Sequence, residues 1–118
     1  MLHAIVSDIH GNLEALETVL ADIDRRGVTS IVCLGDFVGY GASPNQCIET
    51  LRPRIERAVA GNHDLAACGR LKLHYFSADA ASAARWTDVR LTDENRAYLH
   101  GLPYSVPWRG MLLVHASP

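Results

Sequence analysis

The sequence is short of several features that would mark a function directly. Its three cysteines, Cys33, Cys47 and Cys68, are odd in number and include no Cys-x-x-Cys pair. A disulfide framework and a zinc-finger set are both disfavoured, and reduced thiols fit a cytoplasmic protein. No stretch approaches the roughly 18 apolar residues needed to span a bilayer, so no membrane role is expected. The opening residues MLHAIVSD lack a basic region, and their apolar run is too short for a signal peptide. Net charge is -2 with the histidines neutral. That leaves no basic footprint for a nucleic-acid polymer and no acidic tail. Repeats, linkers and low-complexity runs are absent as well. What remains is an ordinary globular composition, 48% hydrophobic and 20% charged over 118 residues, enough for one domain or part of one.

The pattern along the chain is strand and helix in alternation. Residues 2–7 form a short apolar, β-rich run, expected as a buried strand. Leu13, Leu16, Leu20 and Ile23 then recur at three- and four-residue spacing, with Glu14, Glu17, Thr18 and Asp22 on the other face. This is an amphipathic helix, with Asn12 as N-cap and Gly27 suited to the left-handed stop. Residues 30–34 are a second apolar strand. Ser43-Pro44-Asn45-Gln46 reads as a capping box with proline at the first helical position, opening a helix to about Leu51. Residues 56–60 are a third strand. Alternation of this kind predicts a parallel βαβαβ sheet with flanking helices. Residues 63–100 are expected to be mostly helical, including 77–90 and a helix over 93–100 capped by Thr92. Residues 104–106 and 111–115 are expected as strands joined by a turn at 107–110.

All three early strands end in polar, ligand-type residues. The first runs into Asp8-Ile9-His10-Gly11-Asn12, the second into Gly35-Asp36, and the third into Gly61-Asn62-His63-Asp64. Successive tips are separated by about one βα unit. In a parallel sheet they meet at the carboxyl edge, where open α/β sheets bind ligands. No Lys or Arg occurs in any of the tips. Clustered carboxylates without a cationic side chain repel one another, and divalent cations are the natural neutralising partner. A mixed carboxylate, imidazole and amide set suits Mn, Fe or Zn better than Ca or Mg. Gly11, Gly35 and Gly61 permit sharp turns and close backbone approach.

The words SDIHGNLEAL, CLGDFVGYG, VAGNHD and Val114-His115 resemble the first four blocks of the calcineurin-like metallophosphoesterases, in particular small bacterial members. The resemblance implies the first part of a four-layer α/β sandwich. It also implies two divalent metal ions and hydrolysis of phosphomonoesters or phosphodiesters, with nucleotides among the conceivable substrates. Asp8 and His10 would bind the first metal, Asp36 would bridge both, and Asn62 and His115 would bind the second. His63 would act as general acid or stabilise transition-state charge, and Asp64 would orient it. The partner implied is a small phosphate ester.

Two departures from the family pattern stand out. The later Gly-His-x-His block, which gives a histidine to each metal, is not in this sequence. Ala116 stands where glycine is more usual. The expectation is therefore a domain over residues 1–118 cut short at its C-terminal side, with the second sheet largely missing. An exposed sheet edge would then favour homo-oligomers. Two alternatives stand beside the phosphoesterase reading: a catalytically incompetent or interaction module, and a phosphoprotein phosphatase. Tyr40, in the Gly-Tyr-Gly loop, reads as a packing or loop-anchoring aromatic, with substrate contact as the alternative, and Trp86 and Trp108 read as packing residues. His3, His74 and His100 read as structural or surface residues.

Overall fold

A computed structural model describes all residues 1–118. Three strands, β1 (His3–Val6), β2 (Ser30–Cys33) and β3 (Ile55–Ala58), form a parallel sheet in the order β1-β2-β3. Helix α1 (Leu13–Arg25) connects the first pair and α2 (Pro44–Leu51) the second. The strand order advances in one direction, so right-handed crossovers place both helices on the same face. The core confirms it. Leu16, Leu20 and Ile23 of α1 and Ile48 and Leu51 of α2 bury with Ile31 and Cys33 in one cluster. Val32, which alternates to the other face, buries with Val59, Trp108 and Leu113.

The middle of the chain adds α3 (Asn62–Ala67), α4 (Ala78–Arg90) and α5 (Asp93–His100). The Asn12, Ser77 and Thr92 side chains cap α1, α4 and α5 by accepting from Ala15, Ala80 and Asn95 N–H. Ser43 departs from the capping-box expectation, because its hydroxyl makes no cap bond. Pro44 at the first turn already lacks one of the N–H groups that need a partner. Asn45 instead ties α2 to the α4–α5 junction, donating to the Arg90 carbonyl at 2.8 Å and accepting from Thr92 N–H at 3.0 Å.

Strands β4 (Ser105–Trp108) and β5 (Met111–Val114) pair as an antiparallel hairpin, the small second sheet. Its turn is tighter than the expected 107–110 span. Only Arg109 and Gly110 lie between the strands, at φ 49° and 78°. Two positive φ values give a turn whose twist matches the hairpin. The hairpin covers the second face of the sheet through Trp108 and Leu113. No helix is long and apolar enough to cross a membrane, and all three cysteines are free and buried.

Candidate metal centre

The loops after β1 and β2 are laced together by backbone hydrogen bonds. Asp8 N–H donates to Gly35, His10 N–H to Asp36 and Gly11 N–H to Phe37, each at 2.9 Å. These bonds hold three ligand-type residues in the left-handed region, Asp8 at φ 57°, His10 at 52° and Asp36 at 59°. That conformation is uncommon for non-glycine residues, and Asp and His adopt it more readily than most. Two glycines make the approach possible. A Cβ on Gly61 would collide with the Asp36 carboxylate, and one on Gly35, itself at φ 98°, with the Gly61 backbone.

The five residues expected as ligands converge. Ligand atoms of Asp8, His10 and Asp36 lie within 4.8 Å of one another. Oδ2 of Asp36 lies 3.6 Å from His10 Nε2 and 3.3 Å from His115 Nε2. His115 Nε2 also faces Asn62 Oδ1 at 3.1 Å. Asn62 and His63 open α3 rather than sitting in a free loop, so the helix fixes their directions.

The tautomers of the two imidazoles test whether cations fit. Nδ1 of His10 meets the Val38 carbonyl at 3.0 Å, and Nδ1 of His115 meets the Leu34 carbonyl at 2.6 Å. A carbonyl only accepts, so each Nδ1 carries the proton. In the neutral form each ring then turns an Nε2 lone pair toward a carboxylate oxygen. Lone pairs facing carboxylates repel unless a positive charge lies between them. Backbone carbonyls orient metal-binding histidines in the same way. The donor set present therefore fits divalent cations.

The electrostatics agree. Burial raises the Asp36 carboxyl above its usual range, opposed by the His63 N–H bond and the nearby imidazoles. Burial also acts to raise Asp8, but the Ser7 hydroxyl at 2.5 Å and the rings of His115 and His10 bring it below the ordinary value. Burial lowers His63, against the pull of Asp36.

His63 and Asp64 do not pair as expected. Oδ2 of Asp64 accepts from Asp36 N–H at 2.8 Å and Gly61 N–H at 3.0 Å, and Oδ1 from Val38 N–H at 3.3 Å. No hydrogen bond joins it to His63, whose Nδ1 is buried without a partner. Asp64 is a clamp between the second and third loops, fully buried. Burial pushes its carboxyl up to about 7, and the three N–H donors pull against that. The His63 ring is held instead by aromatic neighbours, with centroids 4.7 Å from Tyr40, 4.9 Å from His10 and 5.2 Å from Phe76. Tyr40 thus touches the centre, the alternative its place between two glycines had left open. The orienting carbonyls of Val38 and Leu34 have no side-chain signature at all.

The sequence model described as calcineurin-like phosphoesterase matches residues 1–115. The chain belongs to the calcineurin-like phosphoesterases. An uncharacterized protein of Methanocaldococcus jannaschii is 44% identical over 119 residues, covering 98% of this chain and 49% of that protein. The crystal structure of a metallophosphoesterase from Sphaerobacter thermophilus is 45% identical with a TM-score of 0.72, covering 87% of this chain and 42% of that one. A structure provisionally described as a diadenosine tetraphosphatase superposes with a TM-score of 0.71 at 21% identity, covering 98% of this chain and 55% of that one. That last likeness shows the fold alone. The chain spans about half the length of these calcineurin-like relatives.

Proposed function

We propose that this centre holds two divalent cations and hydrolyses phosphate esters. The carrying observation is the single oxygen Oδ2 of Asp36, which lies 3.6 Å from His10 Nε2 and 3.3 Å from His115 Nε2. Asp8 and His10 would hold one cation, Asn62 and His115 the other, with Asp36 shared. Bound there, divalent cations would supply Lewis acidity toward a phosphoryl oxygen and neutralise its charge. The ligand chemistry favours Mn, Fe or Zn.

The remaining work falls to the chain. The loop tips are fixed by the sheet and by Asp64, so a bound ester meets preorganised groups rather than reorganising them. His63 below its ordinary pKa is neutral near pH 7 and still carries one ring N–H. That N–H would donate to the leaving or phosphoryl oxygen and stabilise charge there. The substrate would be a phosphomonoester or phosphodiester. Buried reduced thiols favour a cytoplasmic setting.

Asp36→Asn tests the reading with a generic aryl phosphodiester and Mn. Turnover should fall on the order of a hundredfold or more, the scale for losing a principal electrostatic group. Unchanged turnover would remove Asp36 from the chemistry.

A further inference from the structure

Two cavities meet at Tyr40. The first, of about 570 Å³, is lined by Asp8, His10, Asn12 and Tyr40 among others, and opens on the metal centre. The second, of about 390 Å³, is lined by Tyr40, Ala42, Asp79, Ser82, Ala83 and Trp86. Both also share Ala42. Volumes of this size are those of small-molecule sites.

The second cavity has the chemistry of a ring-binding slot. Tyr40 is 59% exposed and Trp86 37% exposed, so both keep aromatic surface open to a ligand. Neither ring is free to swing. Tyr40 lies against His63 and His10, with centroids 4.7 and 5.3 Å away. The Arg90 guanidinium lies 4.0 Å from the centre of the Trp86 ring, one helical turn along α4. Cation–π stacking of that kind holds the indole in one orientation. Ala42 and Ala83 add small apolar surface to the same lining. The polar groups are few: the Ser82 hydroxyl, which donates or accepts, and the Asp79 carboxylate, which accepts only. Asp79 forms no ion pair, and no lysine or arginine lines the cavity. An anionic group is therefore disfavoured in this slot. A flat neutral ring with an N–H edge fits it.

We propose that this slot binds the nucleobase of a 6-oxopurine nucleoside phosphate ester, with the ring beside Tyr40 and Trp86 and its N1–H donated to Asp79. The proposal rests on the phosphoesterase reading for its orientation: the phosphate lies in the first cavity at the metal centre, and the sugar passes Tyr40. Tyr40 and Trp86 are then specificity residues for the base. His63 and the metal-facing residues act on the phosphate alone.

The test uses inosine, a soluble purine nucleoside with no phosphate, on metal-free protein. Inosine should quench Trp86 fluorescence saturably. Ribose at equal concentration should leave the emission unchanged. Trp108 is buried and provides a constant background. Tyr40→Ala should raise the inosine dissociation constant about tenfold, the scale of losing one base-stacking aromatic. Trp86→Ala keeps a good helix former in α4, and equilibrium dialysis should show a comparable loss of inosine binding in that variant. Absence of saturable quenching, or Tyr40→Ala and Trp86→Ala chains that bind inosine as tightly as the parent, would overturn the proposal. The readout needs neither metal nor turnover. A failure of the phosphoesterase reading, seen as unchanged turnover in Asp36→Asn, would leave inosine binding intact, so the two failures are distinguishable.

Discussion

The imidazole of His115 reaches across 81 positions of chain to the Leu34 carbonyl, 2.6 Å away, and so presents Nε2 to Asp36 and Asn62. One residue at the end of β5 thereby depends on the second strand for its orientation. His115→Ala should leave the fold intact and weaken one of two metal sites. Calorimetric titration with Mn should show one tighter site kept and the other weakened at least about tenfold, the loss typical when a metal shell is damaged. Equal loss at both sites would contradict the assignment of His115 to a single cation.

Asp64→Ala should act on stability first. The substitution strands three buried N–H groups, those of Asp36, Gly61 and Val38. An unsatisfied buried donor costs about 1–3 kcal/mol, so a total of several kcal/mol is expected. Urea denaturation should show a clear drop in midpoint without metal present. A midpoint equal to the parent's would remove Asp64 as the clamp between loops.

How much of this was legible beforehand differs by level. The parallel sheet was readable because short apolar runs alternated with helical stretches over residues 2–60. The convergence of Asp8, His10, Asp36 and Asn62 followed from that topology. Asp64 was misread as a partner of His63 because adjacency in sequence says nothing about direction on a helix. At the third position of α3, its carboxylate turns back to the Gly61 N–H, as acidic residues at that position do. The hairpin turn was placed too early because Pro107 suggested a break. Proline is tolerated at a strand edge, and β4 runs through it to Trp108.

The thiols set an alkaline limit. Burial pushes Cys33 up to about 12 from an ordinary 9.0, and Cys47 up to about 11. In the unfolded chain these thiols ionise near 9, while in the folded chain they stay protonated. The unfolded state thus loses protons first, and stability falls as pH rises from about 9 toward 12. Cys33→Ala should show a shallower fall in denaturation midpoint over that range. Iodoacetamide at pH 9 should label the native chain slowly and the urea-unfolded chain readily. Rapid labelling of folded protein would place the thiols outside the core.

Glu56 fastens the hairpin to the sheet. The β2–β3 register shifts at Ile31/Val32, and Glu56 is the extra residue. Its carboxylate accepts from Ser30 Oγ at 2.7 Å and from Trp108 Nε1 at 3.1 Å. Those bonds, that of Ser30 foremost, hold its carboxyl below the usual range. Their contribution is present above the ordinary glutamate pKa and is lost as pH falls below it. In a Trp86→Phe background, Glu56→Ala should shift Trp108 emission to the red as the indole loses its partner. An unmoved spectrum would show that Trp108 is held by packing alone.

The left-handed backbone at Asp8, His10 and Asp36 has a consequence for how such a chain drifts. Whatever strain these three residues hold is carried whether or not anything binds, and it counts against a small domain's narrow net stability. Asp8 is exposed and recovers little of it through burial. Selection for folding alone would favour glycine or asparagine there, whose backbones accept that conformation at less cost. A descendant released from its chemistry should therefore become more stable as it loses the centre, beginning at position 8.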